Sequence, residues 1–400
     1  MVSSLWVIFV SLALAFLLSS FFKRMGLPRV LGQLLAGIIL GVGILRTYLF
    51  DAQNMEVLSF LADLGIILLF FYAGLETNFK NFSKKIRRSV LVSLFNTLLP
   101  LLIGFLVMRW VFHFDILASI VVGISLSVSA LSVSVDILEE LKMLKSKIGN
   151  SIITIGAVDD VIELLLVTLV VSFLHGLSVD LTIPKMLMEI GLLSIVIIIA
   201  RLWLVPFTLK FVDREKSSTS RFLGSLLIIL LFASLSEVLG IGSLIGAMIA
   251  GILIRQTIFH EVTIPNWEQH DIVKSIHIIA FGFLIPLFFV WVGVNVDVTH
   301  FFQNLNLILA LTLIAIIGTV GGTALAVMLD KGTWREGVLL GWGLNPKGDV
   351  ELVIAVLALK SSLITLPIFS SLVIMSLLTT FVSPIMFKRL LLKYHIKGGS

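Results

Sequence analysis

The sequence predicts an all-α polytopic membrane protein with about thirteen transmembrane helices. Three observations carry this. The 400 residues are 58% hydrophobic and only 13% charged, whereas a soluble domain averages about 25% charged residues. Apolar runs long enough to span a bilayer, roughly 20 residues each, follow one another along the chain. The basic residues gather in alternate loops between those runs, as positive charge does on the cytoplasmic side of a membrane.

The runs cover approximately 3–22, 28–45, 57–75, 89–111, 116–137, 149–174, 185–210, 221–239, 242–256, 272–294, 302–329, 334–359 and 364–388. Only the region around Gly240, Ile241 and Gly242 separates the eighth from the ninth. The first run lacks a basic start and a small-residue cleavage site, and Lys23 and Arg24 follow it. It reads as a retained span, not a signal peptide. The closing Gly398-Gly399-Ser400 resembles a cloning remnant. The remainder reads as a single transmembrane unit.

Basic residues follow the odd-numbered runs: Lys23, Arg24 and Arg29; Lys80, Lys84, Lys85, Arg87 and Arg88; Lys142, Lys145 and Lys147; Lys210, Arg214, Lys216 and Arg221; Lys388, Arg389 and Lys393. The intervening loops carry Asp51, Glu56, His113, Asp115, Asp180, Lys185, Asp297 and His300, and are poor in Lys and Arg. The N-terminus is therefore expected outside and the C-terminus inside, a parity that thirteen spans satisfy and twelve would not. No soluble domain remains, which argues against a receptor or a membrane-tethered enzyme. The absence of cysteine excludes disulfides and thiol chemistry. The short basic loops give no nucleic-acid footprint, and no motif calls for a cofactor.

Charge at membrane depth is costly, so each such residue is a candidate for function. The sixth run, NSIITIGAVDDVIELLLVTLVV, holds Asp159 and Asp160 near its middle and Glu163 one turn on. Adjacent helical residues point about 100° apart, so the two Asp residues can border one polar cavity without sharing a narrow face. Hard cations prefer oxygen ligands, and two close carboxylates in a low dielectric resist being ionised together. One site could then hold either a monovalent cation or protons, and that competition is the core of exchange. A pair neutralised by a nearby base is the structural alternative, but the sixth run contains no base of its own.

Two other runs are interrupted. The twelfth, GVLLGWGLNPKGDVELVIAVLAL, carries Asn345, Pro346, Lys347, Gly348, Asp349 and Glu351 within an apolar helix. Proline removes a backbone donor and glycine weakens a helix. The fifth carries Ser125, Ser127, Ser129, Ser132 and Ser134, whose hydroxyls can satisfy freed backbone groups, coordinate a cation, or simply pack helices closely. Broken helices at membrane depth survive only where buried or lining a cavity. A pair of them in corresponding halves is a pointer to a transport site. The two runs are seven apart, an odd offset that implies opposite orientation and hence two inverted repeats. Their half-helix dipoles are expected to be offset by Asp136 or Glu139 on one side and Lys347 or Asp349 on the other.

At these residues the chain resembles the second class of the monovalent cation/proton antiporter superfamily, which includes bacterial Na⁺/H⁺ antiporters and K⁺ efflux systems. The resemblance runs through LPRVLGQLLAGIILG at 27–41, ADLGIILLFFYAGLETNF at 62–79, VDILEELKML, GAVDDVIELLL, GSLIGAMIAGILI, PLFFVWVGVNVDV and GLNPKGDVELVIA. It implies the Na⁺/H⁺ antiporter fold, with crossing discontinuous helices and an elevator-like alternating access. It also implies a core of helices about 89–174 and 302–388, a dimerisation scaffold of about 1–75 and 185–294, and a homodimer. Carried over by position, Asp160 is the ion-binding carboxylate and Asp159 its partner. Ser129 and Ala130 lie in the unwound stretch, and Lys347 and Asp349 at the second crossing.

One departure stands out. Members that move net charge carry a Lys in the eleventh run, where this chain has AIIGTVGGTALAV and Thr319 at the position. No Lys or Arg lies between Val298 and Asp330; Lys347 is the nearest candidate substitute, although the family resemblance does not place it there. Exchange of one proton for one cation without net charge is the expectation, provided Asp159 keeps one protonation state through a hydrogen bond to Thr319 or a serine.

The expected function is exchange of a monovalent cation for H⁺ across the cell membrane. Na⁺ stands first, and K⁺ and Li⁺ remain open. A cation channel could use the same carboxylates, but no filter-like loop is visible. An intramembrane aspartyl protease would need its two Asp residues on facing helices. Of the other charges, Arg201 reads as snorkelling or paired, Glu237 and Asp63 as facing water, and His277 as a packed neutral ring.

Overall fold

The protein is described here by a computed structural model, in which residues 2–76, 86–176, 199, 202–203, 207, 218–239, 242–258 and 271–398 are placed. All regular structure among the described residues is helical. In chain order the helices are α1 (Ser4–Arg24), α2 (Arg29–Leu40), α3 (Gly43–Leu49), α4 (Ala52–Glu76), α5 (Ile86–Trp110), α6 (Ile116–Ser127), α7 (Leu131–Glu140) and α8 (Lys147–Gly176). They continue with α9 (Ser218–Val238), α10 (Ser243–Ile258), α11 (Asp271–Ile279), a π-helical turn (Ala280–Leu284), α12 (Ile285–Val294), α13 (Leu305–Leu329), α14 (Trp334–Leu344), α15 (Asp349–Lys360) and α16 (Leu366–Gly398).

Every predicted run except the seventh coincides with described helix. The seventh, with Arg201, Lys210, Arg214 and Lys216, lies outside the described residues apart from isolated positions, as do Lys80, Lys84 and Lys85. Among the described residues, seven helices are long and apolar enough to cross a membrane, and eight if a bent pair is one span. The bend is a difference from the predicted continuous second run: α2 and α3 meet at 86°. The eighth and ninth runs are separate helices, ending at Val238 and starting at Ser243.

The chain divides into two compact units. Unit 1 comprises Met1–Leu12, Phe50–Asn78 and Thr168–Trp291, and unit 2 comprises Ala13–Leu49, Phe79–Val167 and Val292–Ser400. Residues 13–49, expected with the scaffold, cluster with unit 2. Within unit 1, α4 lies along α10, and α10 along α9. Gly74 and Gly251 give that first seam its closeness: a Cβ on Gly74 would collide with the Met248 carbonyl, and one on Gly251 with the Phe71 carbonyl. Without a hydrophobic drive between helices in lipid, small residues that let backbones approach supply the packing.

Within unit 2, α5 and α13 run side by side, α14 folds back on α13, and α6 packs on α5. Glycines again line the seams, with Gly123 against the Leu101 carbonyl, Gly318 against Pro100 and Gly337 against Ala324. At one end of the unit, Arg88 of α5 reaches Asp330 at 3.5 Å and Glu336 at 3.2 Å, and Lys147 of α8 reaches Glu336 at 3.2 Å. Thr333 caps α14 by accepting from the Glu336 N–H at 3.2 Å. An apolar cluster beneath joins Val92, Leu138, Ile152, Leu340, Leu344 and Phe387.

Two neighbouring glycines of α13 test this packing. A Cβ on Gly322 would sit 2.5 Å from the Phe95 carbonyl oxygen of α5, whereas one on Gly321 would meet nothing within 4 Å. Gly321→Ala should leave thermal stability unchanged or raise it by up to about 1 kcal/mol, the helix-propensity gain. Gly322→Ala should lower it by roughly 1–3 kcal/mol, the usual cost of overpacking. Intrinsic tryptophan fluorescence melts in detergent check both, and equal behaviour of the two variants would contradict the seam.

Candidate ion-binding site

The site lies entirely within unit 2 and begins with two interrupted helices. After α6, residues Val128 (φ −72°, ψ 143°) and Ala130 (φ −100°, ψ 93°) are extended before α7 starts. Between α14 and α15, residues 345–348 are non-helical. Pro346 cannot donate a backbone hydrogen bond and its ring opposes a continuing helix. Lipid offers nothing to the polar groups this frees, so the protein must. The Ala130 N–H donates to the Pro346 carbonyl at 2.7 Å, which ties the two breaks together. The Ser134 hydroxyl donates to the Gly343 carbonyl, and the Thr380 hydroxyl to that of Lys347. Asn345 donates to the Ser383 hydroxyl at 2.7 Å. A Cβ at Gly348 would lie 2.6 Å from that of Ala130, so the crossing needs glycine there. The two breaks therefore cross, as the interrupted patterns predict.

The Asp pair sits on α8, and its members face different surroundings. Asp159 is 2% exposed. One of its oxygens accepts from the Ser93 hydroxyl, and the other from Asn96 Nδ2 at 3.2 Å. Thr323 Oγ1 donates to Asn96 Oδ1 at 3.4 Å, which orients the amide. Three helices, α5, α8 and α13, thus converge on one carboxylate. Asp160, turned about 100° away on the helix, is exposed, with Asp349 as its charged neighbour. The sequence reading placed both on one cavity; the structure buries the first and opens the second.

Glu163 is buried, and its Oε1 accepts from the Ser129 N–H at 2.6 Å and the Ser129 hydroxyl at 3.1 Å. The acid at the start of α7 is therefore Glu163. Asp136 and Glu139, the acids expected there, are exposed further along α7. Lys347 follows the carbonyl end of α14, and Asp349 and Glu351 occupy the first turn of α15. These are the signs that helix dipoles favour.

Lys347 is the substitute that the sequence offers for the base missing from α13. It is 0% exposed, and its Nζ donates to Thr319 Oγ1 at 3.3 Å. Asp159, Glu163 and Glu351 are its charged neighbours. The α13 position that lacks a Lys is thus met by a Lys from the second crossing, twenty-eight residues later in the chain. Thr319 contacts that Lys, and the serine that holds Asp159 is Ser93. Ser93 and Asn96 escaped notice in the sequence. Their signal was present, since two polar residues at i, i+3 in the apolar run LVSLFNTLLP share one helix face.

The remaining charges stand elsewhere. Asp63 and Glu237 are exposed. His277 is exposed, where a packed ring was expected, and stacks on Phe281 at 4.6 Å within unit 1.

The arrangement offers an accessible carboxylate beside a fixed one, backbone freed from helix, and a buried ammonium. The sodium/hydrogen exchanger transmembrane family model matches residues 9–393. A Na⁺/H⁺ antiporter of Enterococcus hirae is 31% identical over 94% of this chain and 93% of its own length. The Na⁺/H⁺-K⁺ antiporter GerN of Bacillus cereus is 31% identical over 91% of this chain and 90% of its own. In fold, the chain is similar to the sodium proton antiporter MjNhaP1 of Methanocaldococcus jannaschii, with a TM-score of 0.69, 16% identity and 98% of each chain covered. The chain belongs to the sodium/hydrogen exchanger family of the monovalent cation/proton antiporter superfamily, and is a multi-pass membrane transporter, not an enzyme.

Proposed function

We propose that the protein exchanges a monovalent cation for protons across the cell membrane, with cation and proton competing for Asp160. The observation that carries this is the division of labour in the Asp pair. Asp159 has both oxygens engaged by Ser93 and Asn96, so it is held in place. Asp160 is open to solvent and free to take either a proton or a cation. The extended stretch of Ser129 and Ala130 supplies further oxygens close to the crossing. Na⁺ is the first candidate, because the relative from Enterococcus hirae is a Na⁺/H⁺ antiporter. K⁺ follows, from the name of GerN, and Li⁺ by size.

All these residues belong to unit 2, so that unit can carry the site between the two sides without dismantling it. This favours an elevator-type movement over a channel, with the N-terminus outside, the C-terminus inside and a homodimer as the assembly. Lys347 supplies the buried positive charge that the eleventh run lacks. If Asp160 alone alternates, the pair trades one proton for one cation and no net charge moves.

Asp160→Asn should reduce cation-driven proton movement in proteoliposomes to background while the protein still elutes as a folded species. Exchange at the wild-type rate would discard the site. Competition gives a signed pH dependence: protons fill Asp160 as pH falls, so apparent cation affinity must weaken with acidity. Below the titration of the site, the loss should approach about tenfold per pH unit for each proton displaced. An affinity that is flat over several pH units would contradict a shared site. A protonophore added under a pH gradient separates coupled exchange from conduction through a channel.

A further inference from the structure

Glu351 stands apart from the other acids of unit 2. It lies in the first turn of α15 with 0% exposure. Neither of its oxygens completes a hydrogen bond of regular geometry. Its polar neighbours among the described residues are the Lys347 ammonium, four residues earlier, and the Ser376 hydroxyl of α16. The helices packed on α15 add no charge at its level. α6 has no charged residue, and those of α16 begin at Lys388. On its own helix, Asp349 is half-buried two residues before, and Lys360 closes the far end. By contrast, Asp159 and Glu163 accept from donors, and Asp160 is exposed.

A buried polar group without a partner is expensive, and a buried charge without donors far more so. Lys347 has three acidic neighbours, Asp159, Glu163 and Glu351, and one positive charge cannot balance three negative ones. Of the three, Glu351 is the one whose oxygens complete no hydrogen bond of regular geometry among the described residues, and so the one suited to carry its own proton. The long Lys side chain reaches Thr319 and has Glu351 as a charged neighbour, so it can serve either end of this cluster.

We propose that Glu351 is a second proton carrier of the exchange and the alternate counter-ion of Lys347. This rests on the reading of Asp160 as the shared site. Without the cation, the O–H bond of Glu351 is intact and the Lys347 ammonium sits at Thr319. A cation entering at the Asp pair sets a second positive charge beside that ammonium. Lys347 then turns to Glu351, whose O–H bond breaks. The proton passes to water on the side that Asp160 and Asp349 face, and Glu351 is left as a carboxylate paired with the ammonium. Release of the cation reverses each step. Asp160 and Glu351 each give up one proton for one bound cation, so one elementary charge crosses per cycle. The expectation of silent one-for-one exchange rested on a missing base, and the structure brings Lys347 to that place.

The first test counts protons released per Na⁺ bound by purified wild-type protein in weakly buffered solution across a pH series. A maximum of two supports the proposal. A maximum of one overturns it and leaves the Asp160 site standing, whereas no release overturns the Asp160 site as well. The second test uses Glu351→Gln on a solid-supported membrane. Wild type should give a Na⁺-driven current, and E351Q should lose it while Na⁺ uptake against a proton gradient stays measurable. A current retained by E351Q, or absent from wild type, would overturn the proposal. If E351Q does not fold, the proton count on wild type decides alone.

Discussion

The hydrogen bond from the Ala130 N–H to the Pro346 carbonyl is the contact on which the site depends. A helix can break in lipid only if the peptide groups it releases find partners in the protein. Here each break is the other's partner. Side chains supply the rest: Ser134 and Thr380 donate to the carbonyls of Gly343 and Lys347, and Glu163 accepts from the Ser129 N–H. The crossing holds because Gly348 leaves room for Ala130. It also sets four half-helix ends in one place, where fixed dipoles act on whatever charge arrives. An ion site is thus a consequence of making the breaks tolerable.

The same logic explains the use of two adjacent carboxylates. One residue of rotation on α8 separates a buried group from an open one. Asp159 is tied to α5 through Ser93 and Asn96, and through Asn96 to Thr323 of α13. It serves as a fixed point for three helices. Asp160 is spared that duty, which suits it to the exchange proposed for it. Lys347 limits the negative charge that accumulates around them, with Asp159, Glu163 and Glu351 as its acidic neighbours.

Much of this was legible in the sequence. The apolar runs located the helices because lipid demands about twenty apolar residues per span. Pro346 and Gly348 marked one break, and the serine series around Ser129 the other. Asp159, Asp160 and Glu163 stood out as charges at membrane depth. What was not legible depended on three-dimensional reach. Lys347 was the candidate substitute but was not placed at Thr319, because position along the chain says nothing about where a long flexible side chain ends. Ser93 and Asn96 looked like ordinary polar residues in a span until α5 was placed against α8. The exposure difference between Asp159 and Asp160 required the rotation of α8 about its axis, which adjacent identical residues cannot reveal. The bend between α2 and α3 was hidden because an apolar run reads alike whether straight or folded.

The claim that the two Asp residues do different work is tested most directly by titration calorimetry of Na⁺ binding, over a pH series, on Asp159→Asn and Asp160→Asn. The account predicts that Asp159→Asn still binds Na⁺, more weakly, with an affinity that falls as pH falls, and that Asp160→Asn shows no binding at any pH. PH-dependent binding retained by Asp160→Asn, or a pH dependence lost in Asp159→Asn, would contradict it.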